Sequence, residues 1–61
     1  MVELYQIKRN ASGDWLGFIR TGEWSFKWFK DTYYNTREEC ESAIKKWMET
    51  NKPGVNGWYR L

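Results

Sequence analysis

One helix is written into this sequence, and it dictates what the rest of the chain must do. Cys40, Ala43, Ile44, Trp47 and Met48 recur at i, i+3, i+4, i+7 and i+8, which places five apolar side chains on a single stripe. Thr36, followed three residues later by Glu39, has the form of a capping box that satisfies backbone N–H groups at a helix start. Asn51 and Pro53 supply the stop. The predicted helix therefore runs over residues 37–50, and its stripe needs a cover. No second helical period exists to provide one, so the cover must be a sheet.

The segment before the helix reads as that sheet. ELYQIKR, DWLGFIR and EWSFKWFK alternate apolar and polar residues with a period near two, predicting strands over about 3–9, 14–20 and 23–30. Asn10–Gly13 is a turn cluster, and Thr21–Gly22 reads as a two-residue connection with Gly22 free to take positive φ. The expected fold class is α+β, one domain over residues 1–61: a three-stranded antiparallel meander packed on one face by a single C-terminal helix. The tail over 51–61 is read as an arm that folds back, or as a short fourth strand at 55–61, with Trp58 and Tyr59 either capping the core or anchoring a partner.

Cross-links cannot hold such a chain together. Among 61 residues there is one cysteine and no histidine, so neither a disulfide nor a usual zinc ligand set can form. Bulk must substitute. Five Trp, four Tyr and three Phe supply it, and EWSFKWFKDTYY (Glu23–Tyr34) holds six of those 12 rings. A two-residue turn at Thr21–Gly22 sets Arg20 opposite Glu23, Ile19 opposite Trp24, Gly17 opposite Phe26 and Trp15 opposite Trp28. Trp15, Ile19, Trp24, Phe26 and Trp28 then face the helix. A three-residue first turn, Ala11–Gly13, adds Tyr5 and Ile7 to that side.

Parity assigns the other face to Leu4, Gln6, Lys8, Leu16, Phe18, Arg20, Ser25, Lys27 and Phe29. That set has three cations, no acid and four apolar side chains. Glu38, Glu39 and Glu41 gather instead at the helix start, where the helix dipole favours them. Lys8, Leu16, Phe18, Arg20, Lys27 and Phe29 are accordingly the candidate binding residues. Two functions fit. In the first, Lys8, Arg20 and Lys27 meet phosphates while Phe18 and Phe29 stack on bases, with DNA favoured over RNA. In the second, Leu16, Phe18 and Phe29 form the centre of a protein–protein interface of an inhibitor or adaptor of the phage or mobile-element type. The third-strand edge, or the tail, can add pairing to a host protein's sheet, and homodimerisation through the same open face is a variant of this reading.

The layout of SGDWLGFIR followed by YYNTREECESA resembles the plant ethylene-response-factor DNA-binding domain. That family has a small-residue turn, an aromatic opening strand two, an Ile-Arg closing it and a Thr-x-Glu helix start. The resemblance implies major-groove reading by the sheet, with Arg20 at a sheet-arginine position and Lys8 or Arg9 contributing from strand one. SFKWFK does not reproduce that family's arginine–tryptophan pair on strand three. The arm-binding domains of tyrosine recombinases are similar in outline. The join between sheet and helix also resembles small YegP-type bacterial domains, and YYNTREECESAIKKW with PGVNGWYRL is similar to a small phage inhibitor of bacterial RNA polymerase.

Catalysis and cofactors are not expected. No histidine is present to exchange a proton near neutral pH, Cys40 falls on the apolar stripe, and no phosphate-binding glycine loop occurs. No apolar run reaches membrane-spanning length, and MVELYQIKRN lacks the apolar core of a signal peptide. With a lone thiol, a cytoplasmic setting is expected.

Overall fold

The computed structural model describes residues 3–61. Three strands, β1 (Tyr5–Arg9), β2 (Trp15–Arg20) and β3 (Phe26–Trp28), form one antiparallel sheet in the order β1-β2-β3 and are followed by one helix, α1 (Arg37–Thr50). This is a small α+β fold, with α1 laid mainly across β2 and β1.

The helix ends follow their local chemistry. Thr36 Oγ1 accepts the Glu39 backbone N–H at 3.1 Å, and Glu38 and Glu39 lie in the first turn. At the other end no basic residue occupies the last turn. The Trp47 carbonyl is met instead by the Asn51 backbone N–H at 3.0 Å and by Asn51 Nδ2 at 2.9 Å.

The first turn forms as its residues dictate. Asn10 N–H donates to the Asp14 carbonyl at 2.9 Å, Gly13 N–H donates to the Asn10 carbonyl at 3.1 Å, and Gly13 has φ 89°. A three-residue hairpin loop with glycine in the left-handed position results. It sets Tyr5 opposite Ile19 and Ile7 opposite Gly17, so Tyr5 and Ile7 pack against the core.

The second turn corrects the expected register. The connection is longer than Thr21–Gly22: Thr21 N–H donates to the Ser25 carbonyl at 2.9 Å, and Gly22–Trp24 loop out between them. Arg20 pairs with Phe26, Ile19 with Lys27 and Phe18 with Trp28. This is a slip of three residues, and an odd slip exchanges the faces of a strand. Phe26 and Trp28, expected in the core, therefore lie on the face away from α1. Trp24, also expected in the core, sits at the loop tip and is 88% exposed. Phe29, expected outside, is fully buried.

The core explains why this register wins. Ile19, Phe29, Cys40, Ile44 and Tyr59 form its centre, flanked by Trp15, Tyr34, Trp47 and Met48. Gly17 has no room for a side chain, since a Cβ there would stand 2.6 Å from Ile44 Cδ1 and 3.1 Å from Cys40 Sγ. The helix thus presses onto bare backbone, and Phe29, whose N–H donates to the Gly17 carbonyl at 2.7 Å, fills the space beside it. Trp47 meets Phe29 edge-on, with ring centroids 5.7 Å apart. The remaining volume is taken from the tail. Tyr59 leans on Trp47 at 5.4 Å and donates its N–H to the Arg20 carbonyl at 3.4 Å. A single helix over three short strands has no space left for Trp24 and Trp28.

Beyond Phe29 the chain turns through Lys30 (φ 54°) and Asp31 (φ 49°), then rejoins β2 where Trp15 and Tyr34 exchange hydrogen bonds of 2.8 and 2.9 Å. The expected third strand over 23–30 is thereby reduced to Phe26–Trp28. The tail forms no strand. Gly54 N–H donates to the Trp58 carbonyl at 2.8 Å, closing a turn with Gly57 at φ 87°, and Tyr59 then docks on the core.

The register can be checked by three substitutions followed by urea unfolding. Gly17→Ala should cost about 1–3 kcal/mol through overpacking. Phe29→Ala should cost about 3–5 kcal/mol. Trp24→Ala should stay within about 0.5 kcal/mol of the parent protein, as an exposed site does. A large loss at Trp24 with tolerance at Phe29 would restore the two-residue turn.

Candidate interaction face

The face of the sheet away from α1 is laid out by the two ladders. Gln6, Phe18 and Trp28 form one row across the strands, Leu4, Arg20 and Phe26 a second beside the β2–β3 loop, and Lys8 and Leu16 a third toward the first turn. Phe18, Phe26 and Trp28 are neighbours by construction. Each is half-buried, while Leu4 and Tyr33 at the margins are exposed. Trp28 meets Tyr33 edge-on at 5.1 Å, and its indole Nε1 is buried with no hydrogen-bond partner.

The cations on this face are held against rings. Lys8 Nζ lies 5.7 Å from the Phe18 centroid. The Arg20 guanidinium sits 5.7 Å from Phe26 and 4.9 Å from Trp58. Its N–H groups are also committed: Nε donates to the Gly22 carbonyl at 3.0 Å, one terminal nitrogen to Glu3 at 3.4 Å, and the other to the Glu23 carbonyl. Arg20 thus clasps the β2–β3 loop from within and joins the tail to the sheet through Trp58. This residue, expected as a free surface cation, is half-buried and structural in its contacts.

Of the six candidate residues, the structure brings together Lys8, Leu16, Phe18 and Arg20. Lys27 is exposed, but its pairing with Ile19 puts it on the helix side at the sheet's edge. Phe29 lies inside the core and is removed from any surface role. Phe26 and Trp28 were missed, while Trp58, open in the sequence between capping the core and anchoring a partner, lies against Arg20. The adjacent rings Trp28 and Phe29 carried a partial signal, because consecutive strand residues point to opposite faces and one ring had to look outward. Parity alone does not say which.

The ionisable groups elsewhere are tied to packing. Tyr5 Oη donates to Glu41 Oε2 at 3.1 Å, and Arg37 stands 3.7 Å from the same oxygen. Burial, then the hydrogen bond to Glu41, raises the Tyr5 phenol above its ordinary value. Burial likewise raises Tyr34 and the fully buried Cys40 thiol, which makes that thiol a core residue of low reactivity. Among the described residues no group of three or more Asp, Glu, Cys or His side chains could hold a metal ion, and no helix is long and apolar enough to cross a membrane. No protein-family model, curated protein or solved structure matches this chain.

Two measurements test this description. Arg20→Ala should lower stability by about 1–3 kcal/mol, since it removes the charged donor to the Gly22, Glu3 and Glu23 carbonyls together with the contacts to Phe26 and Trp58, whereas Lys8→Ala should change it by less than about 0.5 kcal/mol. Equal tolerance at both positions would mean that the clasp is not formed. The second measurement is stability against pH. The raised groups favour their neutral forms in the fold, so their contribution is complete below the ordinary values of 9.0 for the thiol and 10.0 for the phenols. It is lost as pH rises through the higher folded values. Urea midpoints should therefore decline on the alkaline side above those values, and midpoints that rise there would contradict the burial of these groups.

Proposed function

We propose that this chain is a small non-catalytic binding module that docks a protein partner on the aromatic face of its sheet. The observation that carries this reading is the juxtaposition of Phe18, Phe26 and Trp28 on adjoining strands, on the side that α1 leaves open. Aromatic side chains with few free charges are the composition of an interface centre. A half-buried tryptophan flanked by apolar neighbours is the usual form of an energetic anchor. Leu4, Leu16 and Tyr33 extend the patch, and the exposed Trp24 stands at its loop end. The nucleic-acid reading rests on charge, and the geometry supplies less of it. With Arg20 committed and Lys27 on the other side, Lys8 is the one remaining cation among the described residues of this face.

A photocrosslinking residue placed at Phe26, against a control at Ser42 on the outer side of α1, tests the proposal in the source cells. A discrete protein adduct is expected from position 26 alone. Trp28→Ala should weaken binding of that partner by about 30-fold or more, equivalent to about 2 kcal/mol, while Lys8→Ala changes it little. Titration with single-stranded and duplex oligonucleotides at two salt concentrations decides the other way. Tight binding that falls steeply with salt and is lost in Lys8→Ala would replace a protein partner with nucleic acid.

A further inference from the structure

A three-stranded sheet has two edges, and this molecule treats them differently. The β3 edge is three residues long and ends in the positive-φ bend at Lys30 and Asp31, with Leu61 of the tail nearby. Short length, a sharp bend and exposed lysines are the usual protections against edge pairing. The β1 edge has none of the first two. It is five residues long and faces an open groove walled by Arg37 and Glu41 of α1.

The backbone groups on that edge can be identified. Arg20 N–H donates to the Leu4 carbonyl at 3.0 Å and Asn10 N–H to the Asp14 carbonyl at 2.9 Å, so residues 4 and 10 belong to hydrogen-bonded pairs of the ladder. Such pairs alternate along an antiparallel strand. Gln6 and Lys8 therefore point their backbone groups at β2, and Tyr5, Ile7 and Arg9 turn theirs to the open edge.

We propose that a second copy of this chain pairs on this edge, β1 antiparallel to β1, about a two-fold axis through Ile7. Setting Ile7 opposite Ile7 and Tyr5 opposite Arg9 is the one symmetric register that uses all three outward residues of each strand. The side chains agree with it. Tyr5, Ile7 and Arg9 share the helix side of the sheet, so each Arg9 arrives beside the Tyr5 of the other copy. That tyrosine is bonded to Glu41, whose contacts with Tyr5 and Arg37 both use Oε2. Glu41 Oε1 has no partner among the described residues. Arg9 is exposed, rests 5.8 Å from its own Trp15 ring and makes no ion pair among the described residues. Each copy thus presents a carboxylate oxygen and a guanidinium that the other can satisfy. On the opposite face Lys8 meets Gln6, so the register creates no directly opposed like charges. The two sheets join into one of six strands. The aromatic faces lie side by side on it, and both copies remain free to bind.

Sedimentation equilibrium across micromolar to millimolar concentrations, with amide exchange of the unaltered protein at both ends of that range, tests the proposal. The expected result is a reversible dimer in which Tyr5, Ile7 and Arg9 amides gain protection with concentration, while Gln6 and Lys8 are protected throughout. Arg9→Glu should weaken the dimer about tenfold, and combining it with Glu41→Lys should restore much of the loss, as a cross-subunit charge pair requires. The amide pattern does not depend on either variant folding. A monomer at millimolar concentration overturns the proposal. So does a dimer whose new protection falls on β3 or on none of the three odd-numbered amides. Neither result bears on the partner of the aromatic face, which the crosslinking experiment tests separately.

Discussion

The contact between α1 and the bare backbone at Gly17 governs this structure. With no side chain at that position, Ile44 and Cys40 descend onto the middle of the central strand. The closeness of the helix then limits the volume between the layers. One large ring fits beside the contact, and Phe29, the residue that follows β3, takes the place. Because Phe29 is fixed opposite Gly17, each residue of β3 is assigned a face by alternation. The aromatic surface on the far side follows from what the core could not accommodate.

The same constraint accounts for the β2–β3 loop. Setting Phe29 at Gly17 leaves three residues more than a tight two-residue turn requires, and Gly22–Trp24 bulge outward. A loop of that kind exposes carbonyl groups near the sheet. Arg20 answers them from the adjacent strand end, donating to Gly22 and Glu23 while its flat guanidinium is held between Phe26 and Trp58. Arginine suits this because its planar fork satisfies several carbonyls and offers faces to aromatic rings at once. A residue that composition marks as a surface cation becomes a joint between loop, sheet and tail.

What the sequence made legible was what local chemistry decides. The helix over 37–50, its Thr36 cap, the glycine-bearing first turn and the inward direction of Tyr5 and Ile7 depend on residues close together in the chain. The second turn was not legible for the opposite reason. Thr21–Gly22 is a competent two-residue turn by itself, and it loses to a contact made between Phe29 and a helix that starts eight residues later. Tyr59 added to the difficulty, because a tail with no strand pattern supplied a core ring that β3 had been expected to give. The candidate site inherited this division. Lys8, Leu16, Phe18 and Arg20, on the two strands joined by the legible turn, were placed on the right face. Lys27 and Phe29, beyond the other turn, were not. Arg20 shows a further limit, since exposure by parity says nothing about whether a cation's donors are already occupied.

A domain this small has little stability to spare, and that bears on how its outer rings are retained. Phe18, Phe26 and Trp28 are not left bare. Lys8 lies against Phe18, Arg20 against Phe26 and Tyr33 against Trp28, so each ring is half-covered in the isolated chain. The covering groups differ in what it takes to move them. Lys8 is a flexible chain with a single solvated charge, and it can swing aside at little cost. Arg20 is anchored by three carbonyls and cannot. A partner approaching this face would therefore find the Phe18 and Trp28 end of the patch open to contact and the Phe26 and Arg20 end fixed. The buried, unpartnered Trp28 Nε1 lies at the yielding end. An unmade hydrogen bond inside a packed aromatic cluster is costly, and a carbonyl brought by a docking chain would remove the cost. On the proposed function Trp28 would be the anchor of the interface, because there both burial of the ring and satisfaction of its donor would favour the bound state.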